Sequence, residues 1–166
     1  GPRQVHEQEK SVEAALDEHY LWVEHAKADA AALYSLRYLK SLGHIDQKQS
    51  KEMMVSYLGR LLQTLRLASE APQSRAAAVV LNYLLDHNGI RYDAGTQTYT
   101  IDFDRIEVGL TLLTNELLTL EAEGDFARAQ KLAFQYSALP DFVQNSLESV
   151  SALPLVVAPL YQVILN

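Results

Sequence analysis

The chain has 166 residues, enough for one domain that buries about two thirds of the surface its unfolded form exposes. A formal charge of −7, with Lys and Arg scattered singly, leaves no basic stripe and argues against nucleic acid as a partner. The lack of cysteine excludes disulfides, thiolate metal ligands and Cys nucleophiles, and no apolar run approaches the ~20 residues that cross a bilayer.

Gly1-Pro2 reads as the scar of an expression tag with no initiator Met behind it, so residues 1–10 are expected to be a flexible N-terminus and the natural protein to be longer. From Ser11, a plausible N-cap, apolar residues recur at helical spacing through Leu16, Tyr20, Val23, Ala30, Tyr34 and Leu39 to Leu42, and Gly43 ends the run. A single long helix is expected there, central because it is apolar on several faces, with Leu33 and Tyr34 among its buried side chains. Asp46 with Gln49 forms a capping box for a second helix through Met53, Tyr57, Leu61 and Leu65. Pro72 suits the first turn of a third, which Asn88-Gly89 stop. The period then changes: Ile90, Tyr92, Tyr99 and Ile101 flank Asp93-Ala94-Gly95-Thr96, a short hairpin.

Asp104 with Glu107 reads as a second capping box, opening a helix through Leu110, Leu113, Leu117 and Leu120 that Gly124 closes. Asp125 caps the next helix to about Tyr136, and Pro140-Asp141 begin a short last one. The apolar tail with Pro154 and Pro159 is expected to dock on the body. The expected architecture is all-α: a single helical domain over residues 11–166, with a long central helix and one small β-hairpin.

Within the long helix stands Glu24-His25-Ala26-Lys27-Ala28-Asp29, followed by Ala30-Ala31-Ala32-Leu33-Tyr34. Further along come Glu70-Ala71-Pro72-Gln73-Ser74-Arg75, Asn82-Tyr83-Leu84, Asp102-Phe103-Asp104-Arg105-Ile106-Glu107, Leu117 to Phe126 and Leu153-Pro154-Leu155. In this order the segments resemble the dipeptidyl peptidase III-like zinc metallopeptidases, including relatives fused behind a Nudix domain. The resemblance runs from about Ser11 to Tyr161 and implies the portion of that family that carries the zinc-site lobe. It places His25 at the position of the family's third zinc ligand, a Glu. It places Pro72 where the family has a His thought to assist the polarised peptide carbonyl. The family's His-Glu-x-x-Gly-His motif is missing from these residues: His6-Glu7 begins such a pair, but Lys10 and Ser11 stand where the second His would be.

A zinc hydrolase needs an open metal and a neighbouring base. What remains here is His25 and Asp29, one turn apart on a helix, as candidate catalytic groups. Tyr20, Trp22, Glu24 and Tyr57 are candidate walls of an adjoining pocket, although core packing also accounts for most of the nine tyrosines. A core histidine hydrogen-bonded to Asp29 or to a backbone carbonyl is the plainer account of His25. Glu18, Glu24 and Asp29 also read as a solvated face, and Glu121, Glu123 and Asp125 as charges around a helix end. Three functions are open. One is a non-catalytic binding module without metal or other cofactor, partnered by another domain of a parent chain, a separate protein, itself or a peptide-like or small-molecule ligand. A second is a small metal-independent isomerase, cyclase or hydrolase built on His25 and Asp29. The third is a fragment of a zinc dipeptidyl peptidase whose remaining ligands lie upstream. A cytoplasmic location suits all three.

Overall fold

The computed structural model describes residues 5, 10–67 and 71–154, which form seven α-helices and one antiparallel hairpin. The tail after Pro154, with Pro159, lies outside the described residues. The helices are α1 (Val12–Leu16), α2 (Tyr20–Ser41), α3 (Gln47–Leu67), α4 (Pro72–Asp86), α5 (Phe103–Glu123), α6 (Phe126–Tyr136) and α7 (Asp141–Ser149). The strands are β1 (Ile90–Asp93) and β2 (Thr98–Ile101), with Ile90 opposite Ile101 and Asp93 opposite Thr98.

The expected continuous helix from Ser11 to Leu42 is broken. Asp17 adopts a positive φ of 47°, and a one-turn 3-10 segment, Asp17–His19, separates α1 from α2. Local helix preference is high on both sides, so the break arises from packing: Leu16 and His19 are both buried. Ser11 does cap α1, its hydroxyl accepting from the Ala14 N–H.

The cap of α3 is the reciprocal one the sequence predicts. Asp46 Oδ1 accepts from the Gln49 N–H at 2.7 Å, and Gln49 Oε1 accepts from the Asp46 N–H at 2.9 Å. Pro72 opens α4 behind Ala71. The start of α5 corrects the reading of Asp104: the capping carboxylate belongs to Asp102, which accepts from the Arg105 N–H, and Asp104 lies inside the first turn. Gly124 closes α5 in the left-handed region at φ 60°, and Asp125 caps α6 through the Arg128 N–H.

The core is a triangle of α2, α4 and α5 in mutual contact, with α3 against α4 and α2, and α6 against α4. Trp22, Val23, Ala26 and Ala30 of α2 meet a nearly continuous buried run from Ala76 to Leu84 on α4 and the stripe Leu110, Leu113, Leu117 and Leu120 on α5. α2 is not buried all round. Leu33 is in the core, but Tyr34 is exposed, with the Arg37 guanidinium 5.2 Å from its ring centre. Tyr34 lies about 100° round the helix from Leu33, at the edge of the inner face. At the start of the chain Val5 is buried and would be struck by a Cβ on Gly124.

The hairpin root is equally tight. A Cβ on Gly89 would lie 2.8 Å from the Ile106 Cα, so the turn out of α4 sits directly on the α5 backbone. Tyr92 stacks on Phe142 at 4.6 Å, and the Tyr99 hydroxyl donates to Ser146, which ties α7 to the hairpin.

Candidate functional site

The segment Glu24 to Asp29 places its polar groups on two sides of α2. On the inner side Lys27 is buried, and its ammonium reaches both oxygens of Glu121 on α5 at 2.7 and 2.8 Å and Glu24 at 2.6 Å. Glu121 is 0% exposed. Burial pushes its carboxyl up to about 7; the adjacent Glu24 adds to the rise and Lys27 opposes it. Glu24 is held below the ordinary carboxylate range: burial opposes this, but hydrogen bonding with Glu121 and the Lys27 ammonium prevails. Burial alone would lower Lys27, yet the two carboxylates hold it above its ordinary value. Two carboxylates around one ammonium make a polar clamp between α2 and α5, buried at Lys27 and Glu121 and part-exposed at Glu24. The sequence reading places Glu121 at the helix end; the available signal is a Lys one turn from the buried Val23 and Ala30 and a Glu one turn from the buried Leu117.

On the other side, Asp29 turns to α3. Its Oδ1 lies 2.6 Å from the Arg60 guanidinium, and its Oδ2 accepts from the Tyr57 hydroxyl at 3.2 Å. Burial and the Asp29 charge push the Tyr57 phenol well above its ordinary range. Asp29 therefore spends its carboxylate on α3 and does not orient His25. The His25 ring is half-buried and has no hydrogen-bond or ion-pair partner among the described residues.

The other candidates scatter. Trp22 is sealed in the core, its indole N–H donating to His19 Nδ1 at 3.1 Å. Tyr20 packs half-buried against the core, and Glu24 belongs to the clamp. Tyr57 lines a groove of about 560 Å³ between α2 and α3, with Leu33, Leu36, Met53 and Arg60. His25 is not among the residues of that groove. Of the tyrosines, Tyr57, Tyr83 and Tyr136 are buried, whereas Tyr38 stands open to solvent.

These positions test the fit of the zinc ion that the motif implies. His25 can offer a nitrogen, but Glu24 and Glu121 are bound to Lys27 and Asp29 to Arg60. Among the described residues no group of three His, Asp or Glu side chains converges to hold a metal. Pro72, at the start of α4, has neither a donor N–H nor a titratable side chain. The described residues do not by themselves fit a zinc centre, and no catalytic step through a metal follows from them.

Comparison with solved structures places the architecture. A dipeptidyl peptidase III from Caldithrix abyssi superposes with a TM-score of 0.92 and 25% identity over 98% of this chain. The chain has the fold of a dipeptidyl peptidase III segment. A second such enzyme, from Corallococcus sp. strain EGB, superposes with a TM-score of 0.88 and 28% identity over 96% of the chain. The chain spans 31% and 30% of these two structures. Nudix hydrolase 3 of Arabidopsis thaliana is 26% identical over 156 residues, which cover 93% of this chain and 20% of the plant protein. No family model matches the chain. Among the described residues no helix is long and apolar enough to cross a membrane.

Proposed function

We propose that this chain is a non-catalytic helical module derived from the zinc-site lobe of a dipeptidyl peptidase III-like protein, and that its role is binding. The observation that carries this reading is the fate of the motif's carboxylates. Glu24 closes the clamp onto α5 and Asp29 closes a tie onto α3, so both act as internal fasteners. Among the described residues His25 has no orienting partner, and Pro72 contributes no proton-handling group. The outer face of α5 carries Val108 and Leu112 exposed one turn apart, and Leu118 on α5 and Leu21 on α2 are exposed apart from that pair. Such a face suits an apolar protein surface. Because the chain spans 31% and 30% of the two enzymes it resembles, the partner this reading favours is another part of a longer parent protein.

The same coverage supports a second reading, in which this chain is a segment of a working zinc peptidase and His25 serves as one ligand beside groups encoded elsewhere. A metal-independent acid–base enzyme gains nothing from the geometry, since Asp29 is engaged by Arg60 and Tyr57. Zinc analysis by atomic emission, after dialysis of the purified chain against zinc-containing buffer, tests the first reading. The expected result is substoichiometric zinc, the same in His25→Ala as in the parent sequence. Tight, equimolar zinc that disappears in His25→Ala overturns it. A His-Glu-x-x-Gly-His motif in the reading frame ahead of Arg3 decides for the second reading.

A further inference from the structure

Away from His25, the ends of α4 and α6 and the middle of α5 enclose a cleft of about 490 Å³. The back wall is aromatic. Tyr83 stacks on His87 at 4.2 Å with an interplanar angle of 14°, and Tyr136 leans on Tyr83 at 5.2 Å. His87 Nδ1 lies 2.8 Å from the Tyr83 carbonyl oxygen, which can only accept, so this nitrogen carries the proton in the neutral ring and Nε2 keeps its lone pair.

Four charges line the cleft, and two of them cancel: Arg128 grips Glu116 through two bonds of 2.7 Å. That leaves one charge of each sign. Asp86 is the last residue of α4, where the helix dipole is negative; the Tyr136 hydroxyl donates to its Oδ2 at 2.9 Å and Gln135 in turn donates to that hydroxyl. Lys131, on α6, has no ion-pair partner among the described residues. One cleft of ordinary ligand-site size is thus lined by an acidic group, a basic group and aromatic rings.

We propose that this cleft binds a small zwitterion with an apolar side chain, a free α-amino acid being the simplest case. The ammonium lies against Asp86 and the negative end of α4, the carboxylate takes Lys131, and the side chain rests on Tyr83 and Tyr136. No residue of the Glu24 to Asp29 segment takes part, so the reading of His25 and this site stand or fall separately.

The test uses the full chain, isotope-labelled, with resonances of Tyr83, His87 and Tyr136 followed by NMR during titration with L-phenylalanine and L-leucine. Two deletions of charge serve as controls: 2-phenylethylamine, which lacks the carboxylate, and 3-phenylpropionate, which lacks the ammonium. Saturable shifts are expected with at least one amino acid, weakened about tenfold or more when either charge is missing. Lys131→Met should reduce the amino acid to the level of 2-phenylethylamine while leaving that amine unaffected. Asp86→Asn should do the same toward 3-phenylpropionate. Absence of saturable shifts with both amino acids overturns the proposal, as does equal binding of the one-charge analogues, or amino acid binding that ignores both substitutions. Both residues are at the surface of the cleft, and an unchanged fingerprint of the core resonances certifies the folded state.

Discussion

The two sides of α2 use similar residues to opposite ends. On the inner side Lys27 and Glu121 are withdrawn from water, and each is tolerable only because the other is present. On the outer side Asp29 and Arg60 make an equally short contact, but Arg60 is 53% exposed and water competes for both. The shared distance hides a large difference in consequence. Taking one member from a sealed pair strands a charge, whereas taking one from a wet pair lets solvent fill in.

The sharpest way to break the comparison is Lys27→Met, which leaves Glu121 buried without its counter-charge. A loss of up to about 3–5 kcal/mol is expected in denaturant unfolding at pH above about 7, where Glu121 would have to ionise unpaired, shrinking at lower pH where Glu121 takes up a proton. Leu33→Ala gives an apolar yardstick on the same helix, with an expected cost of about 2–3 kcal/mol that does not change with pH. The third expectation concerns pH in the parent sequence. Glu121 rises from 4.5 to about 7 on folding, so the folded state binds the proton more tightly. Its contribution to stability is therefore full below about 4.5 and is lost as pH climbs through about 7. Glu24 has the opposite sense, gaining above its unfolded value and losing as pH falls through its depressed folded one. Glu121→Gln should flatten the slope of unfolding free energy against pH between those limits.

Smaller effects belong to the outer side. Asp29→Ala removes the tie to Arg60 and Tyr57 and should cost about 1 kcal/mol, with a visible salt dependence absent from the Lys27 variant. His25→Ala should stay within about 0.5 kcal/mol by thermal or denaturant unfolding, because the ring makes no bond to the described residues. A cost of several kcal/mol there would reveal a structural duty for the ring and remove the distinction between the two sides.

The features legible in the sequence are those governed by a few adjacent residues. The reciprocal cap of Asp46 and Gln49, Gly124 with Asp125, and Pro72 at the head of α4 each depend on chemistry within one helical turn. Features decided by distant contacts were harder to read. The kink at Asp17 interrupts a stretch whose local preferences favour helix, and Tyr34 stands exposed at the edge of an apolar face. Asp102 outcompetes Asp104 for the cap because Gly89 accepts the Asp102 N–H at 3.0 Å and fixes that residue at the hairpin exit. Within the segment around His25 the pairing of Lys27 is not legible in the sequence: Lys27 and Glu121 are 94 positions apart, and periodicity carries no information about such a pair.

The pinch at Gly89 has a consequence for how this scaffold can change. The backbone leaves α4 and returns to α5 through residues already joined to each other, Gly89 to Asp102, so the hairpin hangs from the body like a pendant. Lengthening its tip at Ala94 to Gln97 would not alter the spacing or register of the two helices it connects, because the clasp sits below the added residues. The clasp itself has no such freedom, since any side chain at Gly89 must displace the α5 backbone. Variation in length therefore belongs at the tip, and a grafted segment there would be displayed beside α7 without reaching the triangle of core helices.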